Sequence, residues 1–444
     1  MSLESIYNAS PYWVQNVMCS VKGYLINKRR YSKAFRSELE RYEKHRYNPQ
    51  QELLKALFFC KDIPFYKEIW PESFFDDLTI DNVEERIKDL PIISKADVRN
   101  RITDFAHPEI KSPSFLMHTS GTTGSGLVFP YSYEMENKQW AVWWRYRRSL
   151  GIQIDTWCGW MGGRSIIPLN YKQPPFWRIN YPAKQVMYSS YHLNRLTVKC
   201  FYDDIYKRKL PWIHGYPSST TLFASLMIES NLPPIETVRW ITTGSENLLE
   251  HHMRILQEAF PNAIVRTHYG MAEGVANFSQ NIDGDWLIDD DFAHAEFIPV
   301  DQNDSSICRI VGTGFSNKAF PLVRYDTGDL AKIKWTEGRP KVFEIYGRQE
   351  DYIELPNGVK LGRLDHIFKD CVNINEAQVH QIRKDLIELR VVKGSRYSGQ
   401  DEALLLKEAS SRFGNDVEIK VVYTDHIERT KSGKFKMVVS DIKG

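Results

Sequence analysis

"LPWIHGYPSSTTLFASLMIESN", Leu210–Asn231, is the stretch whose reading decides the fold class. A short apolar segment ends at Gly215, a Gly-Tyr-Pro turn follows, and Pro217 opens a run of small and apolar residues long enough for a helix. The segment therefore reads as strand, turn, helix. Downstream, "VRWITTGSENL" (Val238–Leu248) gives a strand ending in a Gly-Ser turn and then a helix through Gln257. "AIVRTHYGMAEG" (Ala263–Gly274) repeats the theme with a strand and a glycine-bearing loop. Strands that alternate with helices predict an α/β body, whose ligands sit in the loops at strand ends.

Outward from this centre the pattern holds toward the N-terminus and changes toward the C-terminus. Residues after Asn48 read as helix through Cys60, Ser94 is a fitting N-cap in "DLPIISKADVRN", and Glu134 to Leu150 is an aromatic-rich helix. "SFLMHTSGTTGSGLVFPYS" (Ser114–Ser132) reads as strand, loop, strand. Beyond Cys308, "CRIVGTGF", "LVRYDTGDLAKIKW" and "VFEIYGRQEDYIEL" are short β-rich stretches between turns. From about Tyr352 a small α+β module follows. We expect a helical extension over 1–50, a large α/β domain over 51–350 and a small C-terminal domain over 351–444.

Composition bounds the function classes. The chain has 444 residues, 42% hydrophobic and 26% charged, with a formal net charge of +2. That is enough for more than one packed domain. The near-neutral charge argues against nucleic acid as a partner. Six widely spaced cysteines with no C-x-x-C pair support neither a zinc ribbon nor a disulfide framework. No apolar run approaches the ~20 residues that span a bilayer. A cytoplasmic protein is expected.

"ASPYWVQNVMCSVKGYLINKRR" (Ala9–Arg30) qualifies that expectation. Trp13, Val14, Val17, Met18, Val21 and Leu25 form one apolar stripe on a helix that ends in Lys28, Arg29 and Arg30. Such a helix can make a peripheral contact at the inner face of an acidic membrane. Docking onto the protein's own body is the alternative.

The loop "HTSGTTGSG" surrounds Gly121, Gly124 and Gly126 with the hydroxyls of Thr119, Ser120, Thr122, Thr123 and Ser125. Glycines let backbone N–H groups turn toward an anion, and hydroxyls add donors that follow phosphate oxygens. Gly121 and Gly126 have the spacing of a Walker loop, but Leu127 stands where its lysine belongs, so the P-loop NTPase reading fails.

The loop has company. "TSGTTG", "YGMAE", "YDTGD", "GRQED" and "TKSGK", in that order, resemble the adenylate-forming (acyl-AMP) enzyme superfamily. Within it the chain is most similar to phenylacetate–CoA ligases and to the CapK-like proteins of capsular polysaccharide clusters. "IPFYKE", "LPIISKADV", "GYPSS", "TTGSE" and "GVKLGRLDHIF" fit that branch, and the likeness runs from about residue 50 to the end. It implies a large multi-sheet α/β N-terminal domain followed by a small, mobile α+β domain.

It also implies the chemistry: ATP and magnesium are bound, a carboxylate attacks the α-phosphate, and pyrophosphate leaves. Thr119, Ser120, Gly121, Thr122, Thr123 and Gly124 are assigned to the phosphates. From "YGMAE", Tyr269, Gly270 and Met271 are assigned to the nucleotide, with Tyr269 against adenine, and Glu273 is the magnesium carboxylate, a hard oxygen ligand of the kind magnesium prefers. Gly244, Ser245 and Glu246 line the adenine pocket, Asp329 accepts the ribose hydroxyls, Arg348 reaches ribose or phosphate, and Asp351 is the pivot between domains. Lys434 bridges carboxylate and α-phosphate during adenylation.

Where the chain departs from the pattern, the expectations change. Ser125-Gly126-Leu127 replaces the Pro-Lys of many relatives, so no loop lysine helps neutralise the phosphates. "GVANFSQNIDGDW" lacks the cysteines that bind zinc in some relatives, so no zinc is expected. Trp160, His214 and Tyr216 occupy positions expected to face the acyl group, with a hydrogen-bonded structural role the alternative for His214. The partners implied are a small carboxylic acid and an acyl acceptor. That acceptor is by default the thiol of CoA, alternatively a sugar amine or hydroxyl in surface-polysaccharide assembly. A nucleotide-binding relative without catalysis is the reading from another class.

Overall fold

The computed structural model describes residues 3–119, 127–163, 165–301, 304–348, 353–356, 360–361, 364–368, 373–414, 416–430 and 434–442. The chain forms two compact units. One comprises Met1–Leu25, Asp155–Thr267 and Gly347–Gly444, the other Ile26–Ile154 and His268–Tyr346. The α/β expectation holds, with several sheets.

The first unit is organised by a sheet in the order Trp240–Gly244, Trp212–Gly215, Cys158–Met161, Gln185–Tyr188, Trp177–Asn180. The first four strands are parallel and the last is antiparallel. Parallel strands are covered on both faces and so read as continuous apolar runs rather than alternations. The helices Val198–Arg208 and Pro217–Glu229 lie between successive strands in the chain, and Phe201, Ile205, Phe223 and Met227 join Val186, Ile213 and Ile241 in one buried core. Pro217 stands in the first turn of its helix, where its missing N–H costs nothing.

The C-terminal part of this unit has its own sheet. Ile374–Arg383 and Leu386–Lys393 pair antiparallel, flanked in parallel by Val438–Ser440 and Glu418–Tyr423. The helix Gly399–Phe413 buries Leu405, Ala409 and Phe413 with Val379, Leu389, Val391 and Val438.

In the second unit the strands Ala293–Asp301, Asp304–Gly314, Tyr325–Thr336 and Arg339–Arg348 follow one another in sheet order. A buried Arg324–Glu296 pair fastens this sheet, with Nε and Nη2 donating to the two carboxylate oxygens at 2.9 and 2.8 Å. The hairpin Ser114–His118 with Val128–Ser132 leads into the helix Tyr133–Ser149, whose N-cap Ser132 accepts from Met135 N–H at 3.1 Å. The strand Ile264–Gly270 carries the chain from the first unit into the second. No helix among the described residues is long and apolar enough to cross a membrane.

Candidate active site

The second unit holds the loop base, the "YGMAE" motif and the "YDTGD" motif. At the loop base, Thr119 N–H donates to the Leu127 carbonyl at 2.9 Å, and Leu127 N–H donates to the Thr119 hydroxyl at 2.8 Å. These bonds extend the hairpin by one pair and close the neck of the glycine loop. Ser120, Gly121, Thr122, Thr123 and Gly124, together with Asp351 and the side chain of Arg348, lie outside the described residues.

Asp329 is aimed by a bulge. Asp326 pairs with Val311 and Leu330 with Arg309, so Thr327, Gly328 and Asp329 face the single residue Ile310. Gly328 takes φ 73°, a left-handed backbone that favours glycine. The Asp326 carboxylate accepts from Gly328 N–H at 2.9 Å and pairs with Arg309 at 2.8 Å. The Thr327 hydroxyl donates to the Ile310 carbonyl at 2.8 Å and accepts from Asp329 N–H at 3.1 Å. Bulges re-aim side chains in this way.

Asp329 then meets Tyr269, whose hydroxyl donates to the carboxylate at 2.7 Å. The Tyr269 ring stacks on buried Phe278 with centroids 5.2 Å apart. Burial first, then the Asp329 carboxylate, pushes the Tyr269 phenol well above its ordinary range, so it stays a donor; Glu273 adds to the same shift. Glu273 sits in the turn closed by Gly274 N–H to the Met271 carbonyl at 3.1 Å. At Gly270 a Cβ would lie 2.8 Å from Asn277 Oδ1, which already accepts from Trp143 and Gln139. Two motifs predicted separately are thus joined in one cluster.

The first unit holds the remaining groups. Ser245 has φ 70°, and after this turn Glu246 reaches two backbone donors: Ser218 N–H at 3.0 Å and Phe435 N–H at 2.8 Å. Ser218 lies in the first turn of the helix Pro217–Glu229, where a carboxylate is favoured by free N–H groups and by the helix dipole. Phe435 follows Lys434. Thr430 is bonded twice to Lys434: its N–H donates to the Lys434 carbonyl at 2.9 Å, and its hydroxyl accepts from Lys434 N–H at 3.0 Å. Arg429 lies over the Phe435 ring and pairs with buried Glu376. Burial raises the Glu376 carboxyl and Arg429 opposes that shift.

On the parallel sheet, Trp160 and His214 are register partners, as are His214 and Thr242. His214 Nδ1 lies 2.9 Å from both the carbonyl and the hydroxyl of Thr242. The structural role left open for this histidine is therefore occupied at one ring nitrogen. Gly162 lies so close to Trp160 that a Cβ would sit 2.1 Å from the ring. Tyr216 N–H donates to the Met161 carbonyl at 3.2 Å, at the end of the same strand pair.

Sequence reasoning missed Ser218, Thr242, Thr327, Glu376, Arg429 and Thr430. Their part is to hold the named residues, through bonds that no local motif announces. Among the described residues no group of three or more His, Cys, Asp or Glu side chains could hold a metal ion unaided. A lone Glu273 fits magnesium that draws its other ligands from phosphates and water.

Comparison with known proteins agrees with the motif reading. The CapK C-terminal domain model matches residues 355–441. Protein CapK of Staphylococcus aureus is 26% identical over 99% of this chain and 100% of its own length. A crystal structure of 2-hydroxyisobutyryl-CoA ligase, in the postadenylation state with R3-HIB-AMP, superposes with TM-score 0.65 at 16% identity, covering 89% of each chain. Anthranilate CoA ligase in complex with anthranoyl-AMP superposes with TM-score 0.50 at 11% identity, over 72% of this chain and 65% of that one. The fold is that of adenylate-forming ligases, and the sequence resemblance to the CapK-like branch of that superfamily is borne out.

Proposed function

We propose that this chain, with the adenylate-forming ligase fold and a C-terminal CapK domain, is an ATP-dependent, AMP-forming acid ligase. A small carboxylic acid attacks the α-phosphate of ATP, the bond to pyrophosphate breaks, and acyl-AMP results. The acyl carbon is then attacked by an acceptor, AMP leaving with the electron pair of the broken acyl–oxygen bond. The observation that best supports this reading is the bond from Phe435 N–H to Glu246, which fastens the residue next to Lys434 to a residue of the expected adenine loop.

In this reading Tyr269, backed by buried Phe278, is the flat face for adenine, and Asp329 accepts the ribose hydroxyls. Glu273 would hold magnesium, which would supply positive charge beside the leaving pyrophosphate. Lys434 stabilises the negative charge that develops as the carboxylate meets phosphorus. Removing a fixed group of this kind costs on the order of 100- to 1,000-fold in rate. Asp351 is the pivot by which the segment from 351 onward changes its face toward the site between steps. Trp160, His214 and Tyr216 line the acyl pocket. The reaction belongs in the cytoplasm, where ATP is supplied.

CoA is the acceptor we favour, because the CoA ligases above share the fold over 89% of the chain in one case. A sugar amine or hydroxyl is the second reading, favoured by the full-length match to Protein CapK. The test is pyrophosphate release with ATP, magnesium and a panel of carboxylic acids, with and without CoA. We expect one acid to release pyrophosphate and accumulate acyl-AMP. Lys434→Ala should abolish that step while sparing transfer from supplied acyl-AMP. Thioester formation selects CoA, and acyl-AMP stranded by CoA selects the sugar. Tight ATP binding with no pyrophosphate from any acid would leave a nucleotide-binding protein and overturn the proposal.

A further inference from the structure

The helix Tyr12–Arg30 lies against the first unit by its polar side. Gln15 meets Arg178, a fully buried guanidinium that also donates to the carbonyls of Pro175 at 3.0 Å and Trp177 at 2.6 Å. Asn16 Oδ1 accepts from Ile179 N–H at 2.9 Å. The Ser20 hydroxyl donates to the Ile179 carbonyl and accepts from Tyr181 N–H, each at 3.3 Å. Gly23 completes the row, since a Cβ there would lie 2.0 Å from Asn180 Oδ1. Buried polar groups with satisfied partners fix an orientation that apolar packing alone leaves free.

The opposite side is apolar and bare. Trp13 is 68% exposed, Val17 54%, Val21 55%, Tyr24 58% and Leu25 61%, and Tyr181 beside them is 57% exposed. Their spacing, i, i+4, i+8, i+11 and i+12, makes one stripe. Contiguous exposed apolar surface marks an interaction site. The helix contains no Asp or Glu; Arg29 and Arg30 pair with Glu136 at 2.7 and 3.6 Å, which leaves Lys22 and Lys28 as the charges offered to a partner. Lys22 and Lys28 are both exposed.

We propose that this face docks on an anionic lipid surface. The occupant must be apolar inside and negative at its rim, which describes a bilayer with acidic headgroups. Tryptophan and tyrosine favour headgroup depth, where Trp13, Tyr24 and Tyr181 would sit with their polar atoms in water. Lysine stems follow apolar surface while the ammonium reaches outward, which suits Lys22 and Lys28. This inference rests on no part of the adenylation chemistry.

The full-length protein should float with vesicles of phosphatidylcholine and phosphatidylglycerol, far less with phosphatidylcholine alone, and should be released by salt. Val17→Glu with Val21→Glu should lower binding at least roughly tenfold without changing thermal unfolding, since both side chains face outward. Lys22→Gln and Lys28→Gln should each lower it about fivefold, which keeps the test decisive if the double variant fails to fold. Wild-type protein that ignores anionic vesicles, or variants that bind as well as wild type, would overturn the proposal. So would a lipid-free dimer that the double variant splits, because a second copy would then be the occupant.

Discussion

Tyr269 spends its hydroxyl on Asp329, so in the proposed function its ring serves adenine and its oxygen serves the ribose carboxylate. A hydrogen bond to a charged group contributes about 1.5–3 kcal/mol. Tyr269→Phe keeps the stacked ring and removes one of the bonds that hold the Asp329 carboxylate. We expect KM for ATP to rise roughly tenfold with kcat little changed, as for an interaction made equally in ground and transition states. Steady-state pyrophosphate release against ATP concentration measures this, and an unchanged KM would show that the Tyr269 hydroxyl does not position Asp329 for the nucleotide. Both residues stand in motifs legible in the sequence. Their meeting is less so, because it depends on a bulge opposite Ile310 whose one local trace is Gly328. Asp326 and Thr327 hold that bulge through Arg309 and Ile310 on another strand, which short motifs do not announce.

At the scale of elements, the pairing of Thr430 with Lys434 is the part most open to test. Thr430→Val keeps the shape but removes the hydroxyl that accepts from Lys434 N–H. The loss of one such bond is worth about 1 kcal/mol, and a catalytic ammonium that wanders loses rate. We expect acyl-AMP formation to fall roughly tenfold and transfer from supplied acyl-AMP to hold. Equal loss in both half-reactions would make Thr430 a general stability residue. The α/β alternation was readable because short strand-forming runs, "WIHG" and "WITTG", each end at a glycine turn. The Glu376–Arg429 clamp was not, since its partners are 53 residues apart, Glu376 on a strand and Arg429 in the irregular segment after Tyr423. The helix Tyr12–Arg30 divides the difference. Periodicity gives the stripe, yet the side facing the body is decided by Arg178, whose buried guanidinium needs acceptors and finds Gln15.

For the whole molecule, each unit buries imidazoles that resist protonation. Burial lowers His251 to about 4, helped by Arg254, and its neighbour His252, with ring centroids 4.2 Å away, is held well below the usual range. In the second unit burial, with Lys88 and Arg324, lowers His294 to about 4. The unfolded chain titrates near 6.5, so between that pH and about 4 it binds protons the folded chain refuses. Stability from these sites is complete above about pH 6.5 and falls as pH drops toward 4, by up to about 3 kcal/mol for His251. Asp289 and Glu376 act oppositely. Burial raises both, so the folded chain takes up their protons first and gains stability on acidification. A difference measurement separates the two effects. Urea midpoints of wild type and His251→Gln, read from about pH 7 down to about pH 4.5, should converge or cross because the variant has no imidazole to charge. A gap that stays constant with pH would mean that His251 binds protons equally well in the folded and unfolded chains, and that its burial does not disfavour the imidazolium.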